Sequence, residues 1–110
     1  MASSNSNLAP IAFFAYKRPD HTQQTLKALT ANELASESEL FIFSDGPRNE
    51  QDKKGVGAVR EHIRTVKGFK SVSILAHEKN QGLAKSLTSG ITEVCGKFDR
   101  VIVVDRKSVV

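Results

Sequence analysis

Four short segments carry residue types able to bind an anionic, hydroxyl-rich ligand. Ala15-Tyr16-Lys17-Arg18-Pro19-Asp20 joins the chain's only tyrosine to two cations. An aromatic face beside positive charge suits a base stacked over a diphosphate. Taken alone, the same residues read more simply as a solvated loop in which Pro19 and Asp20 start a helix. Ser44-Asp45-Gly46-Pro47-Arg48 holds a carboxylate at a turn forced by Gly-Pro. Asp45 can accept hydrogen bonds from a ribose hydroxyl or a base imino group, or it can organise the turn itself, and both readings stay open. In His77 to Ser86, Asn80-Gln81-Gly82 opens a helical stretch whose free N–H groups favour an anion, with Lys85 one turn in. Taken alone, that segment reads more simply as a helix start with a tight glycine turn. Asp105, ahead of Arg106 and Lys107, is one carboxylate able to reach a divalent metal on a diphosphate, or an incidental acid of a terminal loop.

Other chemistry is excluded by pattern. No GxxxxGK[ST] loop occurs, and no GxGxxG follows the first apolar run, which disfavours P-loop nucleotidases and the dinucleotide version of the doubly wound fold. No GxSxG elbow marks a nucleophile. His21, His62 and His77 stand far apart and the single cysteine, Cys95, cannot form an internal disulfide, so metal-ligand spacings and a disulfide framework are both missing. Cys95 reads as a small core residue and the setting as reducing and cytoplasmic. The net charge of +4, from 16 basic against 12 acidic residues, accommodates an anionic ligand but lacks the dense basic stripe of a nucleic-acid binder. No apolar run approaches the ~20 residues of a membrane span. Met1–Asn7 has neither the basic nor the apolar part of a secretory signal.

These segments need elements to position them. Residues 1–8 read as a polar, disordered tail and 9–110 as one domain, in keeping with a length of 110 residues. Four short apolar runs, Ile11–Ala15, Leu40–Phe43, Val72–Leu75 and Val101–Val104, are rich in β-branched or aromatic residues and apolar on both sides, as strands of a doubly covered parallel sheet are. Three helical patterns alternate with them. The first spans about Asp20 to Ala31, with Asp20 as cap, Gln23 completing a capping box, and Thr22, Leu26 and Leu29 on one face. The second spans about Glu50 to Lys67, with Val56, Val59, Ile63 and Val66 at helical spacing and Gly68 as stop. The third starts near Leu83 with the stripe Leu83, Leu87, Ile91 and Val94, and ends at Gly96. Gly90 inside it points to close packing on a strand or a ligand. The alternation predicts an α/β fold of three layers with a doubly wound, mostly parallel sheet, and analogy with doubly wound folds gives the order 3-2-1-4. Its ligand crevice lies beyond the carboxyl ends of the strands, where the order reverses, which is where the four segments fall.

In that order the four segments resemble the amino-terminal half of a GT-A glycosyltransferase of the large inverting family 2. That family opens with T/A-Y-N/K-R-P, matched by Ala15 to Pro19. Its second strand ends in a base-contacting Asp, matched by Asp45, and its third leads into N-x-G-x-x-x-A/S, matched by Asn80 to Ser86. The resemblance covers Pro10 to about Val104. It implies a nucleotide-diphospho-sugar transferase-like fold and a UDP- or GDP-sugar donor held by Ala15, Tyr16, Arg18, Asp45, Asn80, Gly82 and Lys85. It further implies a divalent metal, Mn or Mg, in the parent enzyme, with Asp105 nearest to it. The acid cluster common after the fourth strand is here Asp105-Arg106-Lys107, so one acid is kept. The resemblance places the acceptor-binding half and the catalytic base beyond residue 110, so this chain is expected to be an inactive fragment by itself. A carbohydrate or lipid-linked acceptor, met in the cytoplasm or at the inner face of a membrane, follows for the parent. The exposed sheet edge after strand four predicts self-association. The alternative is a non-catalytic doubly wound module for interaction or sensing.

Overall fold

The computed structural model describes residues 9–98 and 100–104. The tail expected over residues 1–8, and Asp105 with the residues after it, lie outside the described residues. Four strands, β1 (Ile11–Ala15), β2 (Glu39–Ser44), β3 (Ser71–Ala76) and β4 (Ile102–Val104), alternate with three helices, α1 (Pro19–Thr30), α2 (Glu50–Ile63) and α3 (Leu83–Cys95). A single 3₁₀ turn, Ala35–Glu37, precedes β2. All strand pairs among the described residues are parallel and the sheet order is β3-β2-β1-β4, as expected by analogy with doubly wound folds.

The winding explains which helix covers which face. From β1 through β2 to β3 the chain moves outward in one direction, so α1 and α2 fall on one face. The return from β3 across the sheet to β4 puts α3 on the other. Strand residues sort by parity accordingly. Ile11, Phe13, Ala15, Leu40, Ile42 and Val104 pack with Leu26 of α1 and with Val59 and Ile63 of α2. Ala12, Phe14 and Phe43 pack with Val94 of α3, joined by Leu87 and Ile91 from the same helical stripe. The Leu83 side chain is outside the described set.

Gly90 sits over a stack of Phe14 and Phe43, whose ring centroids are 4.9 Å apart and nearly parallel. A Cβ on Gly90 would lie 2.8 Å from the Phe14 ring. Close packing on the strands therefore accounts for this glycine inside a helix, against its unfavourable propensity.

Several expectations need correction. Helix α1 starts at Pro19, with Arg18 at the N-cap and no capping side chain, so Asp20 does not cap and the Asp20–Gln23 box does not form. Proline's fixed φ suits the first helical position, and Asp20 acts there only as a charge near the positive helix end. Helix α2 ends at Ile63, four residues earlier than expected. The Thr65 hydroxyl donates to the His62 carbonyl, and the Thr65 and Val66 amides make tighter i→i−3 bonds that close the helix before Gly68. Only β1 and β2 are covered on both sides. Ile74 of β3 and Ile102 and Val103 of β4 are 41%, 51% and 41% exposed, because three helices suffice for two central strands only. Val101 precedes β4 rather than forming part of it. Cys95 is exposed, not a core residue, since it lies about 100° around α3 from the buried Val94.

Candidate functional site

The loops after β1, β2 and β3 meet along one rim of the sheet, and Asp45 is the centre of the meeting. Parallel pairing puts Ala15 beside Ser44, and Ser44 beside Ala76, so the three strands end together. Asp45 is the first residue beyond β2. It is 4% exposed, and its amide donates to the Ala15 carbonyl at 3.4 Å. Its carboxylate accepts four hydrogen bonds. Oδ1 takes the Gly46 and Gln81 amides, both at 2.9 Å, and Oδ2 takes the Gly82 amide at 3.0 Å and the Asn80 side-chain amide at 3.2 Å. Asn80 also donates to the Gly46 carbonyl at 2.8 Å. A carboxylate offers about four acceptor positions, so all of those of Asp45 are in use inside the fold.

Two features of the local sequence make this clamp possible. Gly46 lets the loop after β3 cross directly over it, since a Cβ there would lie 2.5 Å from the Glu78 carbonyl oxygen. Gly82 takes a φ of 85°, a left-handed conformation that turns its N–H toward Asp45 and starts α3. Arg60 of α2 fastens the same junction from below. Its guanidinium donates to Ser44 Oγ at 3.0 Å and to the His77 carbonyl at 2.7 Å.

Tyr16 belongs to a neighbouring network. It is 7% exposed, and its hydroxyl donates to Asp52 Oδ2 at 2.7 Å while accepting the Arg48 amide at 2.9 Å. Lys17 Nζ reaches Asp52 Oδ1 at 3.0 Å, and Arg48 Nε lies 3.6 Å from Oδ2. Asn49 caps α2 by accepting the Asp52 amide at 2.9 Å. The Tyr16 hydroxyl bond, and then the one from Lys17, hold the Asp52 carboxyl below its ordinary range. Burial first, and the Asp52 carboxylate second, push the Tyr16 hydroxyl above 10.0. The network ties the β1–α1 loop to the start of α2, where Gly55 leaves room for the Lys17 carbonyl.

The residues singled out from sequence thus fall into three groups. Asp45, Asn80 and Gly82 are directly bonded to one another. Ala15 and Tyr16 reach the same rim, Ala15 with its side chain in the core beneath α1 and α2, Tyr16 with its hydroxyl committed to Asp52. Arg18, at the N-cap of α1, and Lys85, in the first turn of α3, are exposed cations in no ion pair among the described residues. Asp105 lies outside the described residues.

Sequence reasoning missed Asp52 and Arg60. A signal for the first exists: Asp52 falls on the buried stripe it shares with Val56, Val59 and Ile63, and an acid on an apolar stripe demands a partner.

One further pattern marks this rim. Three buried side-chain polar atoms lack a hydrogen-bond partner among the described residues: His21 Nε2, His77 Nδ1 and Ser86 Oγ. His21 is in the first turn of α1, His77 follows β3 directly, and Ser86 ends the first turn of α3. All three belong to segments that follow a strand's carboxyl end.

The described residues contain no group of three or more His, Cys, Asp or Glu side chains placed to hold a metal ion. Asp45, the acid at the centre of the rim, spends its acceptor positions on N–H donors. Asp105, the residue that the family resemblance puts nearest a metal, lies outside the described residues. No helix among them is long and apolar enough to cross a membrane. Comparison with known proteins returned no family model, no curated protein and no solved structure that matches the chain.

Proposed function

We propose that the chain is the nucleotide-sugar-binding portion of a glycosyltransferase, serving transfer of a sugar from a UDP- or GDP-type donor to an acceptor hydroxyl. The observation that carries this reading is that His21, His77 and Ser86, each with a buried side-chain polar atom that has no partner among the described residues, all lie in segments that follow the carboxyl end of a strand. Each such atom costs about 1–3 kcal/mol when left unpaired, so their placement calls for a polar partner, water or ligand, at that end. The exposed cations Arg18 and Lys85 flank the same rim and give a diphosphate its counter-charge.

Under this reading Asp45 shapes the site rather than touching the donor. It fixes Asn80, Gln81 and Gly82, so that the first turn of α3 faces the ligand with its backbone amides. Tyr16 forms the wall of the site on the β1 side. No described residue is assigned to acceptor chemistry, and the part proposed for this chain is donor binding. A divalent cation would add charge neutralisation on the diphosphate, and no described residue is assigned to it.

A second reading, a non-catalytic doubly wound module for interaction or sensing, draws support from the saturation of Asp45 and the burial of Tyr16. Thermal melting with UDP, GDP and ATP, with and without manganese, separates the two. A ligand at a hundred times its Kd adds about 2.7 kcal/mol of stability. A shift with a nucleoside diphosphate that Arg18→Ala and Lys85→Ala together reduce is the result expected of a donor site. No shift with any nucleotide favours the second reading.

A further inference from the structure

The molecule has a concave feature away from the strand-end rim. Helices in a parallel β-α-β unit run against the strands, so the carboxyl ends of α1 and α2 lie toward the amino ends of the sheet. Between them is a cleft of about 490 Å³, within the range of roughly 300–1,000 Å³ typical of small-molecule sites. Its floor is apolar, made by Leu26 of α1 and Val66 just beyond α2. Its walls carry Lys27 from α1, with His62 and Lys67 from α2 and the turn after it, and no acidic side chain lines it. Gly68, at a φ of 95°, folds that turn back against α1, where a Cβ would lie 3.0 Å from the Thr30 methyl group.

Cations at helix carboxyl ends have an ordinary use, in offsetting the negative end of the helix dipole. That accounts for Lys27 on α1 and His62 on α2 taken singly. It does not account for the convergence of basic groups from two elements on one hollow with an apolar floor. Nor are these charges spent elsewhere: Lys27, His62 and Lys67 take part in no ion pair among the described residues.

We infer that this cleft is a binding site for a small amphipathic anion, a phosphate or carboxylate carried on an apolar body. The body lies on Leu26 and Val66, and the anionic group lies between Lys27 and Lys67 within reach of His62. The inference is independent of the donor site, since the two stand on different residues at different ends of the sheet.

The test is a titration of the full chain followed by amide chemical shifts. The probes are phenyl phosphate, inorganic phosphate and phenol, with UDP as a separate arm. The expected result is saturable binding of phenyl phosphate, at least tenfold tighter than either inorganic phosphate or phenol. Its shifts should centre on Thr30, Ala31 and Val66 and leave Asp45 and Gly82 unmoved. Lys27→Gln with Lys67→Gln should weaken it at least tenfold while the melting temperature stays within the scatter of the wild type. Both lysines are exposed, so a charge-reversed pair, Lys27→Glu with Lys67→Glu, provides a second variant on the same fold. Equal binding of phenyl and inorganic phosphate would reduce the site to a charge patch and overturn the proposal. So would shifts confined to the strand-end rim, unchanged affinity in both double variants, or no saturable shift. UDP perturbing Asp45 and Gly82 bears on the donor reading alone.

Discussion

Asp45 and Gly82 stand 37 positions apart in the chain and are joined by a 3.0 Å hydrogen bond from the glycine amide to Asp45 Oδ2. The bond welds the end of β2 to the start of α3, elements that belong to opposite windings of the sheet. It is one of four to the same carboxylate, so the join between the loops after β2 and β3 depends on one acid.

Replacement of that acid gives the first prediction. Asp45→Ala leaves the Gly46, Gln81 and Gly82 amides and the Asn80 side chain without their acceptor. Part of the loop can rehydrate, so the expected loss is about 2–4 kcal/mol rather than the sum of four bonds. Asp45→Asn should fall between wild type and alanine, because an amide turns one of the two acceptor oxygens into a donor group that faces N–H groups. Urea unfolding measures the loss, and hydrogen exchange at Gln81 and Gly82 locates it. A stability change within error for Asp45→Ala would show that the clamp does not hold the rim.

The Tyr16–Asp52 pair gives the second prediction, in pH dependence. Asp52 has its folded-state pKa depressed, so its contribution to stability is present above about 3.8 and is lost as pH falls through the lower folded value. Tyr16 has its folded-state pKa raised, so its contribution is present below 10.0 and is lost as pH rises through the higher folded value. Stability should therefore decline on both sides, in acid below about pH 4 and in base above about pH 10. Asp52→Asn should flatten the acid limb. Tyr16→Phe should flatten the alkaline limb, and it should weaken the fold at neutral pH by stranding the Arg48 amide. Urea midpoints across pH 3 to 11 for the three proteins test this; parallel curves would dismiss the network.

What was legible in the sequence follows from the range over which each feature is encoded. IAFFA and ELFIFS announce buried strands through their own side chains, and the repeat at Val56, Val59 and Ile63 announces a helix face. The alternation gave the parallel sheet, and its strand order came by analogy with doubly wound folds. The edges were less legible, because VIVV is as apolar as IAFFA, and only the placement of the helices decides that Ile102 and Val103 remain half uncovered. The site was legible as a set of strand ends but not as a network. Asp45 was recognisable as a rim acid, yet its four donors include three residues 35 to 37 positions away. The partners of Tyr16 lie 32 and 36 positions off. Local pattern carries no information about pairings of that length.

The open edge of the sheet gives the third prediction. Ile102 and Val103 point to opposite faces of β4 and both are largely exposed, and β4 has a strand neighbour on one side only among the described residues. An apolar edge of this kind templates further pairing unless charge blunts it. Light scattering of the chain should show mass rising with concentration, and Ile102→Lys with Val103→Lys should restore the monomer mass. A wild-type chain that stays monomeric over a hundredfold range of concentration would count against an adhesive edge.

Two glycines of the helices give the fourth prediction, and their effects should have opposite signs. Gly57 lies in α2, exposed, and a Cβ there meets nothing within 4 Å. Gly57→Ala therefore gains helix propensity without any steric cost, a stabilisation of about 1 kcal/mol. Gly90 has the same propensity to gain, but its Cβ would press into the Phe14 ring at 2.8 Å and the Phe43 ring at 3.2 Å. Those rings are stacked on each other and buried in the core that α3 covers. Overpacking of this kind costs about 1–3 kcal/mol, so Gly90→Ala should be a net destabilisation even after the propensity gain, by as much as about 2 kcal/mol. A second substitution sharpens the point. Phe14→Leu removes the ring from Gly90 and should make Gly90→Ala less costly in the double variant than alone, a coupling measurable by a double-mutant cycle in urea. Additive effects would mean that the glycine is tolerated for a reason other than its contact with Phe14.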